Sequence, residues 1–200
     1  LADGPLFSLS HPIETEVAER LTDLFPCSRN GMVKFFKTGS DATSAAIRVA
    51  RAFMGRDIVL SSGYHGWADA FCPNDVGIPL AVRALTQAWS GTPPVCSGTC
   101  SCWSDIAAVI VEPDAFHVND LRALREWCDR NGTVLIFDEI LTGFRVCSGG
   151  QQFLTGVTPD LATFSKAMGN GYAIAAVVGK RRIMTTFEQV GVSGTFGGDT

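Results

Sequence analysis

Four stretches without a charged residue constrain this chain most: residues 106–111, 133–137, 161–164 and 173–178. Each is too short to be a helix of ordinary length, and each reads as a strand buried on both faces. Between them lie segments with helical apolar spacing. Continuous apolar strands alternating with amphipathic helices predict an α/β fold, in which a mostly parallel sheet is covered by helices on both faces. Ligands of such sheets sit beyond the carboxyl ends of the strands.

The helical segments have legible boundaries. Ser10 is placed to cap a helix with His11 and Pro12 in its first turn, and Ile13, Val17, Leu21 and Leu24 form its apolar face. Pro26 ends it. A strand follows over 32–36. Thr38-Gly39-Ser40-Asp41 opens a second helix over 42–54, stopped by Gly55. A short strand spans 57–60. Asn119 or Asp120 caps a helix reaching Arg130, with Leu121, Leu124 and Trp127 on one face and Asn131-Gly132 as its stop. Residues 181–190 read as helical. Residues 80–105, with Pro93-Pro94 and a Ser/Gly/Cys run, read as an irregular loop.

Composition narrows the function classes. Two hundred residues with 46% hydrophobic and 18% charged side chains suit one globular domain, or most of one. A formal net charge of −4 argues against a nucleic-acid surface. With no apolar run of eighteen residues, no transmembrane helix is expected. Leu1-Ala2-Asp3-Gly4 has none of the marks of a signal peptide, and both ends read as if cut from a longer chain. The seven cysteines then read as free thiols in a reducing, cytoplasmic compartment. Cys96, Cys100 and Cys102 lie close together, but their spacing matches no common zinc pattern, and no metal site is expected.

Chemistry gathers at the strand ends. Glu112, Asp138-Glu139 and Lys166 each follow an apolar strand. Lys166 leads a glycine-rich turn, Ala167-Met168-Gly169-Asn170-Gly171. It is either a solvated loop lysine or a desolvated amine able to form a Schiff base. Asp138 follows Val134-Leu135-Ile136-Phe137 and requires a partner, either a protonated ring nitrogen or a structural one such as a helix cap or Arg145. Gly39 and Ser40 offer a helix N-terminus to a phosphate, or form an ordinary cap. In either case the Asp41 side chain should turn away. Tyr64, in the loop Gly63-Tyr64-His65-Gly66-Trp67, could stack on a flat ligand or pack in the core. Ser193-Gly194-Thr195-Phe196-Gly197-Gly198 is a second hydroxyl-bearing loop. A Schiff-base lysine, an acid for a pyridinium nitrogen, a phosphate anchor and a stacking ring together compose a pyridoxal-phosphate site.

In their order along the chain, Gly39-Ser40-Asp41-Ala42, Tyr64-His65-Gly66-Trp67, residues 137–145 (FDEILTGFR), Phe164-Ser165-Lys166 and Gly194-Thr195-Phe196-Gly197-Gly198 resemble class III aminotransferases. The resemblance covers residues 8–200 and is greatest to glutamate-1-semialdehyde aminomutases and their aminotransferase relatives. It implies a fold-type I large domain over 31–200, preceded by a helical segment over 1–30, and pyridoxal 5'-phosphate as cofactor. It implies Lys166 as the residue bonded to the cofactor and carrying the transferred proton, and Asp138 as the partner of the pyridinium nitrogen. By the same resemblance Tyr64 and Ile140 cover the two ring faces, and Gly39 and Ser40 hold the phosphate. Thr195 would reach the phosphate of a neighbouring subunit in a homodimer. Glu112 would stand on the substrate side.

The chain also departs from the pattern. The small domain is missing, the loop after Glu112-Pro113 is brief, residues 89–104 follow no family pattern, and Trp67 stands where the aminomutases have histidine. That last difference favours an aminotransferase acting on small amines and carbonyl compounds. Intramolecular amino transfer and a non-catalytic remnant of the fold are the alternatives.

Overall fold

The structure is a computed structural model that describes residues 11–89 and 101–194, without the side chains of residues 101 and 102. Its centre is a seven-stranded sheet in the order β1-β7-β6-β5-β4-β2-β3. The strands are β1 (Met32–Phe36), β2 (Ile58–Ser62), β3 (Thr86–Ala88), β4 (Ile106–Val111), β5 (Val134–Asp138), β6 (Leu161–Phe164) and β7 (Ala175–Gly179). Neighbours from β3 through β6 are parallel. β7 is antiparallel to both β6 and β1, so β1 runs with the parallel set. The carboxyl ends of β1, β2, β4, β5 and β6 therefore share one edge.

Every residue of β4, β5, β6 and β7 is buried, as uninterrupted apolar runs require when both faces are covered. Successive side chains point to opposite faces. On one face Val109, Val111, Leu135, Phe137, Ala162 and Phe164 pack with helices α1 (Pro12–Leu24) and α4 (Val118–Asn131). On the other, Ala108, Ile110, Val134, Ile136 and Leu161 pack with the alanine-rich face of α2 (Gly39–Met54). Alanines at 42, 45, 46 and 50 bring this helix close to the sheet, which makes its N-terminus part of the edge described below.

Several boundaries differ from the sequence reading. The cap of α1 is His11, whose Nδ1 accepts the Ile13 N–H; Ser10 lies outside the described residues. Of the expected apolar face of α1, Leu21 is buried and Ile13 is 45% exposed. Helix α2 starts at Gly39 rather than residue 42, because Thr38 is its cap. The cap position of α4 is His117, ahead of both Asn119 and Asp120. Residues 181–190 do not form one helix: α6 (Arg181–Met184) gives way to a 3-10 turn at Thr185–Glu188. Within the expected irregular loop, residues 80–88 hold α3 (Leu80–Arg83) and the edge strand β3. Helix α5 (Gly150–Thr155) was not anticipated.

The amino-terminal edge of the sheet is tied by charge. Asp160 accepts from Arg125 of α4 at 2.8 Å, from Lys180 after β7 and from the Leu135 N–H of β5 at 2.9 Å. Burial raises the Asp160 carboxyl, but the two cations and the N–H outweigh it and hold the group below its ordinary value. Among the described residues no helix is long and apolar enough to cross a membrane.

Candidate active site

The strands that lead to the predicted residues among those described end at the opposite, carboxyl-terminal edge. Asp138 is the last residue of β5 and Thr163 is its neighbour on β6, on the face covered by α2. Thr163 Oγ1 donates to Asp138 Oδ1 at 3.1 Å, and the Ile140 N–H donates to the same oxygen at 3.1 Å. The other oxygen, Oδ2, lies 2.7 Å from His65 Nδ1. The structural partner of Asp138 is thus His65, not Arg145. The second His65 nitrogen, Nε2, stands 3.1 Å from the Ser62 carbonyl. A carbonyl only accepts, so Nε2 carries a proton, and the contact between Nδ1 and Oδ2 is bridged by another.

The loop after β2 is pinned from several directions. His65 is buried, its carbonyl accepts from Thr43 Oγ1 of α2 at 2.7 Å, and Phe71 meets its ring edge-on. Gly66 has φ +109, and a Cβ there would come within 2.4 Å of Ser40 Oγ. The loop thereby touches the start of α2. Tyr64 is 57% exposed, which excludes the core-packing alternative, and Trp67 beside it is 76% exposed.

At the start of α2, Thr38 Oγ1 accepts the Asp41 N–H at 3.1 Å and donates to Asp41 Oδ2 at 2.7 Å. The cap thus occupies the Asp41 carboxylate. The N–H groups of Gly39 and Ser40 precede the first intrahelical bond and have no helical partner by position. Ile140 is buried beside this turn: a Cβ on Gly39 would lie 2.8 Å from its Cδ1.

Lys166 begins a 3-10 turn two residues past β6, with φ +43. Its side chain is exposed. Of the two readings left open for this lysine, its exposure fits a solvated side chain, because the strand ends at Phe164 and Lys166 already stands outside the sheet. Ser165 Oγ donates to the Ile174 carbonyl at 3.0 Å and ties this turn to the approach to β7. Glu112 follows β4, and its Oε2 accepts the Tyr64 N–H at 2.9 Å.

Glu139 does not join the edge chemistry. It is buried and accepts from Gln151 N, Gln152 Nε2 and Thr142 Oγ1, so it clamps the start of α5. Burial raises its carboxyl above the ordinary value despite these donors. His65 and Thr163 escaped the sequence reading. A polar residue inside the run Leu161-Ala162-Thr163-Phe164, and a histidine between two glycines after a strand, were the available signals. Thr195, Cys96 and Cys100 lie outside the described residues. Among the described residues no cluster of three metal-ligating side chains occurs.

The chain is 40% identical to a 3-aminobutyryl-CoA aminotransferase of Cloacimonas acidaminovorans (strain Evry), over 96% of this chain and 49% of that protein. The structure of the pyridoxal-phosphate internal aldimine form of the FumI protein of Sphingopyxis sp. MTA144 is similar, with a TM-score of 0.88 and 28% identity over 98% of this chain and 50% of that one. An omega-transaminase of Sphaerobacter thermophilus gives a TM-score of 0.85 and 30% identity, over 98% of this chain and 52% of that one. The chain thus spans about half the length of these relatives. The family model for aminotransferase class III matches residues 101–200, and the chain belongs to that family.

Proposed function

We propose that this chain is the cofactor-binding part of a pyridoxal-phosphate-dependent transaminase. In the overall reaction the donor's amine becomes a carbonyl and the acceptor's carbonyl becomes an amine. The observation that carries this reading is the pairing of a buried acid at the end of β5 with a lysine just beyond β6, on one edge of the sheet. The residues fit the cofactor. Asp138 is a buried carboxylate held from behind by His65 and Thr163, suited to a ring N–H. Gly39, Ser40 and the dipole of the sixteen-residue helix α2 suit a phosphate. Tyr64 offers an exposed ring face, and Ile140 an apolar surface beside Gly39.

Bound pyridoxal phosphate supplies an electron-poor ring that takes up charge from the substrate carbon. The chain's own residues do the rest. Lys166 Nζ would hold the cofactor covalently and would move the proton at the substrate carbon. Asp138 keeps the ring nitrogen protonated. Tyr64 and Ile140 would hold the ring, and the start of α2 would bind the phosphate.

The relatives' names support transfer between two molecules rather than aminomutation within one. They also support a donor whose amine lies beyond the α-carbon, as in 3-aminobutyryl-CoA. We read residues 31–200 as the cofactor-binding domain and residues 1–30 as a helical segment that precedes it, in a cytoplasmic homodimer whose neighbouring site receives Thr195. The test is a half-reaction: the cofactor-loaded protein is mixed with a 3-amino acid thioester or a terminal amine and no acceptor. Conversion of the cofactor to its aminated form, with one carbonyl product per site, is expected. A loaded protein that converts with none of these donors would be a binding remnant, not a transaminase.

A further inference from the structure

The strand order reverses between β2 and β4: β3 continues outward from β2, whereas β5, β6 and β7 continue from β4 in the other direction. Diverging connections leave a crevice at the carboxyl edge of such a reversal. Glu112, just past β4, reaches the loop after β2, where its Oε2 accepts the Tyr64 N–H at 2.9 Å. Gly63 has φ +109, and a Cβ there would lie 2.4 Å from that same oxygen. Glycine is therefore required at 63 both for its conformation and for the approach of the carboxylate.

The loop's other anchors hold the next residue. His65 is fixed by Asp138, by the Ser62 carbonyl and by Thr43. The Tyr64 ring is 57% exposed, so its place follows from its backbone, and the Tyr64 N–H is held by Glu112. We infer that Glu112 is a positioning residue, which sets where the Tyr64 ring stands over the cofactor by holding the Tyr64 N–H and does not itself meet the substrate. This rests on the cofactor reading above.

The requirement is an acceptor oxygen at the right reach. Glutamine keeps it; aspartate is one methylene too short; alanine lacks it. The experiment loads the wild type, Glu112→Gln, Glu112→Asp, Glu112→Ala, Tyr64→Ala and the double Glu112→Ala/Tyr64→Ala variant with pyridoxal phosphate. It reads the cofactor Kd, the visible circular dichroism of the bound cofactor and the KM for the amine donor. Loss of a hydrogen bond to a charged acceptor predicts a Kd raised about tenfold in Glu112→Ala. The dichroism should weaken with it. Glu112→Asp should behave likewise, which keeps the test open if the alanine variant does not fold, and Glu112→Gln should stay close to wild type. Once Tyr64 is alanine, removing Glu112 should change the Kd by less than about twofold, because the two act as one unit. Additive losses in the double variant would overturn the inference. So would a glutamine variant as impaired as alanine, or a raised KM with unchanged Kd and dichroism, which would mark direct substrate contact. A wild type that binds no cofactor would remove the underlying reading as well and is seen separately.

Discussion

His65 Nδ1 lies 2.7 Å from Asp138 Oδ2, with His65 1% and Asp138 4% exposed. Because Nε2 is taken by the Ser62 carbonyl, the imidazole cannot turn away. Removing the ring leaves the buried Asp138 Oδ2 without its donor, while the Ser62 carbonyl keeps the Glu112 N–H at 3.2 Å. His65→Ala should lower stability by about 3 kcal/mol, the scale of a broken buried pair, in urea unfolding of the cofactor-free protein. It should also weaken cofactor binding, whereas a neutral change at exposed Arg130 should do neither.

Gly66→Ala and Gly55→Ala separate a packed glycine from a merely left-handed one. Both have positive φ, but an added Cβ at Gly55 meets nothing within 4 Å, while at Gly66 it would meet Ser40 Oγ at 2.4 Å. Gly55→Ala should cost about 1 kcal/mol in thermal or urea unfolding, with cofactor affinity unchanged. Gly66→Ala should displace the start of α2 or the His65 loop, and raise the cofactor Kd by about tenfold or more. Equal effects of the two on the Kd would contradict the contact.

Asp160 governs acid stability at the far edge. Its carboxyl is held below the ordinary value of 3.8 in the folded chain, so the unfolded chain takes up the proton first as pH falls. The contribution is complete above 3.8 and is lost as pH drops through the lower folded value. Asp160→Asn should cost about 3 kcal/mol near neutrality, since Arg125 and Lys180 lose their shared partner. It should also flatten the stability slope below pH 4, read by urea unfolding across pH. An unchanged acid slope would assign that sensitivity to other carboxylates.

Strands β4, β5 and β6 were legible because their apolar runs are uninterrupted, Asp138 standing only at the carboxyl end of β5. The helix read between β4 and β5 implied that this pair is parallel; none was read between β5 and β6. β3 was not legible, since Thr86-Gln87-Ala88 is short and half exposed at the sheet edge and has no apolar pattern. α5 was missed because its start is held by Glu139 from across the loop, a contact with no local sequence mark. Asp138, Gly39, Ser40 and Tyr64 were singled out by their places after strands or at a helix start. Glu112 was singled out as well, but its bond to Tyr64 spans two strands whose adjacency no local pattern discloses. For the same reason a buried histidine as the partner of Asp138 could not be chosen over Arg145.

The central claim is that Lys166 carries the cofactor at the edge that Asp138 completes. It is tested most directly by reducing the pyridoxal-phosphate-loaded protein with borohydride and locating the pyridoxyl group by peptide mass spectrometry. The account predicts one modified peptide, containing Lys166, and none after Lys166→Ala. Modification at another lysine, or equal trapping by Lys166→Ala, would contradict it.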